Sequence, residues 1–142
     1  MTIQLTWLHE PYVLLERFYD RVTLHDISEM KAAVDRILSH TASHSTHRIH
    51  AIIDVTEVTD YPANLARLKA IITPSSVERG WLILIVPEGN LLLHFVSAFA
   101  AQLRMPTKFR AFYSRAEALD FLNTQEPALM LSSRCPCARG LN

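Results

Sequence analysis

With 142 residues, 49% apolar and 20% charged, the chain has the length of one domain and the make-up of a packed core rather than a disordered segment. Fourteen basic residues balance fourteen acidic ones, so no bulk electrostatic field marks a nucleic-acid binder. The only cysteines, Cys135 and Cys137, fall in the last eight residues, where they cannot staple a core, so the fold must rest on apolar burial.

At the start, Ile3, Leu5 and Trp7 alternate with polar residues, the period-2 pattern of a half-buried strand. His9-Glu10-Pro11 breaks it, and Tyr12 to Phe18 is a second run of strand formers, so an antiparallel hairpin is expected. No basic region followed by an apolar one opens the chain, so no secretory signal is expected and the cytoplasm is the expected location.

After the Asp20-Arg21 turn, Thr23 and Asp26 have the spacing to cap a helix from about Leu24. Leu24, Ile27, Met30, Val34, Ile37 and Leu38 form its apolar stripe. Ser39 to Arg48 is polar and without period, and is expected to be an exposed loop. Ile49 to Thr59 is nearly continuous in apolar character up to Asp54, which fits a strand covered on both faces with a polar exit.

Asp60 and Pro62 suit a helix start, with Leu65, Leu68, Ile71 and Ile72 as its buried side. Trp81 to Val86 reads as the most buried strand and is expected to be central. Pro87 to Asn90 is a turn into a helix that reaches Arg104, with Leu92, Phe95, Phe99 and Leu103 inward. Leu91, Leu93, Ala98 and Ala101 make its other side apolar too, so Leu91, Leu93, His94 and Ala98 are the candidate interface. Neither apolar stretch reaches the roughly 20 residues that span a bilayer, so no membrane span is expected.

Phe109 to Tyr113 is the last strand, and Ser114-Arg115-Ala116-Glu117 matches a capping box ahead of Ala118, Leu119, Phe121 and Leu122. The order is ββαβαβαβα in a single α/β domain over 1–123, a mainly parallel five-stranded sheet with an antiparallel N-terminal strand. An irregular tail is expected over 124–142, with Ala128 to Leu131 as a docked stretch within it.

This order, with Ile52-Ile53-Asp54 and the closing Phe112 to Leu122, resembles the STAS and SpoIIAA-like domains, most closely the STAS/SEC14-like bacterial branch. The resemblance implies a small regulatory or ligand-binding domain, often dimeric, rather than an enzyme. Anti-sigma antagonists of that family carry Asp-Ser or Asp-Thr and then a glycine at this strand exit, the hydroxyl being phosphorylated. Here Val55 and Thr56 follow Asp54 with no glycine nearby, so Thr56 and Thr59 are candidate phosphorylation sites that depart from the pattern.

Ligands of parallel sheets sit beyond the carboxyl ends of the strands, so Asp54, Thr56, Glu88 and Asn90 are the candidate binding residues, and helix caps and solvated turns are the plainer role for the same four. His40, His44, His47 and His50 recur at spacings that suit a metal only if the backbone gathers them, and a solvated polar loop is the alternative. Three glycines and no Gly-x-Ser-x-Gly leave no phosphate-cradling loop or nucleophile elbow, and no cofactor or metal is expected. The expected partners are a second copy of the chain, another protein or a small apolar ligand. An enzyme would require a metal on the histidines or a cleft joining Asp54 to Glu88.

Overall fold

The computed structural model describes residues 2–42, 48–61, 80–89, 108–129 and 139–140. Strands β1 (Ile3–His9) and β2 (Val13–Arg21) form the expected antiparallel hairpin, closed by a bond from Tyr12 N to His9 O at 2.7 Å. Helix α1 (Leu24–Ala42) follows, then β3 (His50–Asp60), which runs parallel to β2. Strands β4 (Leu82–Ile85) and β5 (Phe109–Phe112) continue the parallel set outward, and helix α2 (Arg115–Gln125) ends in a 3-10 turn at Pro127–Leu129. The two-residue strand β6 (Arg139–Gly140) pairs with β1, giving the order β5-β4-β3-β2-β1-β6. The five expected strands thus gain a short sixth from the end of the chain.

The expected caps of the two described helices are formed. Thr23 Oγ1 accepts from Asp26 N at 3.2 Å while Asp26 Oδ2 accepts from Thr23 N at 2.8 Å, so each residue satisfies a backbone donor of the other. These bonds hold the Asp26 carboxyl below its ordinary pKa, the backbone N–H of Thr23 contributing most. Ser114 Oγ likewise accepts from Glu117 N at 3.2 Å at the start of α2.

Three boundaries differ from the expectation. Helix α1 continues through Ser39, His40 and Thr41, where a loop was expected, because no glycine or proline stops it and Leu38 anchors its last turns in the core. Strand β2 runs on through Asp20 and Arg21; Asp20 takes φ 52, a left-handed conformation that aspartate tolerates, and the strand resumes against Asp60. Strand β3 accordingly extends to Asp60, whose carboxylate meets Arg21 Nε at 3.4 Å. The helices expected over 62–72 and 91–104 lie outside the described residues.

Because side chains alternate across a strand, the sheet carries two cores. Leu14, Phe18, Val55, Leu84 and Val86 pack with Met30, Val34 and Leu38 of α1. Val13, Leu15, Ile52, Ile83 and Ile85 pack with Ala118, Leu119 and Leu122 of α2 and with Leu129. All four residues of β4 are buried although it lies one strand in from the edge; the middle of the sheet belongs to β3 and β2. Cover on both faces, not a central place, accounts for its continuous apolar sequence. Among the described residues no helix is long and apolar enough to cross a membrane.

Ile83 is wholly buried on the α2 face, so Ile83→Ala should cost about 2–5 kcal/mol. The exposed Ala116→Ser should stay within about 0.5 kcal/mol. Urea unfolding followed by tryptophan fluorescence measures both, and an equal small loss at the two sites would contradict a packed second core.

Candidate functional site at the carboxyl edge of the sheet

Parallel pairing sets Arg17 of β2 beside Asp54 of β3. Both have the parity of Ile52 and Leu15, so both face α2. The next paired residues are Tyr19 and Glu57, so β3 carries an extra residue here, a bulge that bends the strand locally before it continues to Asp60. In that bend Thr56 N donates to Asp54 Oδ1 at 3.0 Å and Thr56 Oγ1 donates to the same oxygen at 2.6 Å.

The other carboxylate oxygen, Oδ2, faces two guanidinium groups. Arg17 Nε lies 3.9 Å from it and Arg115 Nη2 lies 3.5 Å from it. Arg115 reaches this point because Ser114, extended at φ −143 and ψ 156, caps α2 and fixes the next residue over the end of β3. Asp54 is only 6% exposed, and an ionised carboxylate so buried is held by this set of donors and charges. Arg17 also stacks over the Tyr19 ring at 5.0 Å and brings Nη2 to 3.7 Å from Glu57 Oε1. The Tyr19 hydroxyl donates to Gln4 Oε1 at 2.7 Å, which steadies that ring.

Of the residues singled out by sequence, Asp54 and Thr56 are brought together, Thr56 donating and Asp54 accepting. Glu88 is exposed in the turn after β4, beside Gly89 at φ 76, and none of the contacts to Asp54 comes from it. Asn90 and the interface residues Leu91, Leu93, His94 and Ala98 lie outside the described residues, and Thr59 is exposed near the end of β3. The residues that sequence reading missed are Arg17, Arg115, Glu57 and Tyr19. Arg17 carried a signal, since with Glu16 it interrupts the apolar residues of a strand covered on both faces.

At the opposite end of β3, His50 is buried and its Nδ1 accepts the backbone N–H of Trp81 at 2.8 Å. Its proton therefore sits on Nε2, which faces Glu126 Oε1 at 3.9 Å. Gly80 is required there, because a Cβ would lie 2.6 Å from Cε1 of the ring. Burial pushes the His50 pKa down; Glu126 opposes that shift, and Lys108 adds to it. His40 is exposed on the last turn of α1, and His44 and His47 lie outside the described residues. Among the described residues no three His, Cys, Asp or Glu side chains form a group that could hold a metal.

No protein-family model matches the chain, and no curated protein matches it. Among solved structures it is similar to an uncharacterised protein of the DUF3478 family with a SpoIIAA-like fold from Shewanella loihica PV-4. The two share 21% identity and superpose with a TM-score of 0.60, over 84% of this chain and 91% of that one. The likeness shows the fold: this chain is a SpoIIAA-like α/β domain, as the order of its elements implied.

Two outcomes follow from the polar anchors of β3. Asp54→Ala should destabilise the protein by about 1–3 kcal/mol, and Asp54→Asn, which keeps an acceptor for Thr56, by less. For His50 the folded pKa lies below the ordinary 6.5, so the unfolded chain takes up the proton first as pH falls. Its contribution is fully present above about pH 6.5 and declines below it, and urea midpoints between pH 7.5 and 5.5 should fall more steeply for the wild type than for His50→Gln.

Proposed function

We propose that this protein is a non-enzymatic regulatory domain of the STAS/SpoIIAA type that works in the cytoplasm by protein association, as a homodimer. The observation that carries this reading is the engaged state of Asp54. The buried acid at the strand exit spends one oxygen on Thr56 and the other on Arg17 and Arg115, so it offers no free carboxylate for proton transfer. An edge whose buried acid is already engaged by its neighbours suits recognition better than chemistry. The SpoIIAA-like fold supports the same reading, and the surplus of apolar residues that the sequence carries over 91–104 is the candidate contact with a second copy.

A second reading is a small-ligand domain with its site at this same edge. It is favoured by the partial exposure of Arg17 and Arg115, whose side chains are 27% and 37% exposed.

Light scattering across micromolar concentrations should report a dimer, and Leu93→Glu should shift it to monomer. A strict monomer over that range would remove the association reading, and a dimer unaffected by Leu93→Glu would remove that face.

A further inference from the structure

We propose that Arg17 and Arg115 form a binding site for a phosphate-type dianion carried by a small molecule. The reasoning starts from charge and donor geometry. Two guanidinium groups converge on a single carboxylate oxygen, Asp54 Oδ2, so one negative charge holds two positive ones side by side. Their approach distances of 3.9 and 3.5 Å exceed the roughly 2.7–2.9 Å of a charge-assisted hydrogen bond, so Asp54 positions the two forks without saturating them. Each guanidinium has five donors, and among the described residues their only acidic partners are Asp54 and Glu57.

The surroundings orient the pair. Tyr19 lies under the Arg17 plane, and Ser114 fixes Arg115 at the first turn of α2, where the helix end adds a positive field. Thr56 is exposed at the strand exit, its hydroxyl proton already given to Asp54. A tetrahedral dianion has the charge and the oxygens to bridge two planar forks, which a monoanionic carboxylate matches less well.

Glu57 is the competitor. Its side chain is 59% exposed and lies 3.7 Å from Arg17 Nη2, the position an incoming anion would need. Binding therefore displaces Glu57, and Glu57 is the residue that separates a ligand site from a purely structural ion-pair network. Removing its charge loosens a structural network but strengthens a ligand site.

The site rests on the small-ligand reading and is independent of dimer formation, so a monomer that binds phosphate would overturn association while leaving this proposal intact. The probes are inorganic phosphate and pyrophosphate at constant ionic strength, followed through the amide resonances of Thr56 and Arg115, with acetate as the monoanion control. Saturable shifts are expected with both phosphates and weaker ones with acetate. Arg17→Gln and Arg115→Gln should each weaken binding by at least about tenfold. Glu57→Gln should tighten it by about twofold to fivefold.

The proposal fails if the wild type shows no saturable shift, if acetate binds as well as phosphate, or if both arginine variants stay folded and bind like the wild type. It fails equally if Glu57→Gln leaves the affinity unchanged. Since Glu57 is exposed, that variant folds and decides the matter even where an arginine variant does not.

Discussion

Residues of like parity on a strand face the same side, and on β3 this puts His50, Ile52 and Asp54 in one line beneath α2. Helix α2 runs antiparallel to that line. Arg115 at its first turn meets Asp54, Glu126 just past its last turn meets His50, and Ala118, Leu119 and Leu122 between them meet Ile52, Ile83 and Ile85. A helix fixed by an apolar middle and two polar ends has little freedom to slide or rotate. The position of every side chain at the carboxyl edge follows from that seating, because Arg115 is placed by the helix and Asp54 by the strand.

The two polar ends solve burial differently. His50 stays neutral and accepts one backbone bond from Trp81, a low-cost way to bury an imidazole, and its ring fills the space left by Gly80. Trp81 then stacks edge-on against Phe121 at 4.8 Å, so the amino edge is closed by packed rings. Asp54 is a carboxylate, and burying it costs several kcal/mol unless cations and donors surround it. The surrounding groups are the two arginines, held in place by the charge they neutralise. One end of β3 is thus sealed, and the other carries unsaturated donors at the surface.

Much of this fold could be read from the residues, because it is written in short-range signals. The alternation of β1, the stripe of α1, the continuous run of β4 and the Thr23–Asp26 and Ser114–Glu117 boxes each lie within a few residues. The paired termini of β2 and β3 were less visible, since the positive φ of Asp20 lets a strand pass through what reads as a turn. Strand β6 has two residues and so has no period to detect. The site was half legible. Asp54 and Thr56 are neighbours in sequence, whereas Arg17 and Arg115 join them only through the 17-to-54 strand register and the placement of α2. Of the histidine series, α1 carries His40 on its exposed last turn and β3 buries His50 beside Gly80 and the backbone of Trp81.

The strand exit also shows an acid and a nearby hydroxyl put to structural use. Asp54 and Thr56 are separated by Val55, and no glycine lies near them. Strand β3 bulges there and continues to Asp60, and the hydroxyl turns back to its own acid. A hydroxyl in that position acts as part of the clamp on Asp54, fixing the carboxylate plane so that Oδ2 faces Arg17 and Arg115. The acid and the hydroxyl thus act together as one clamp, and the two guanidinium groups that face it, with side chains 27% and 37% exposed, are the part of the clamp that reaches the surface.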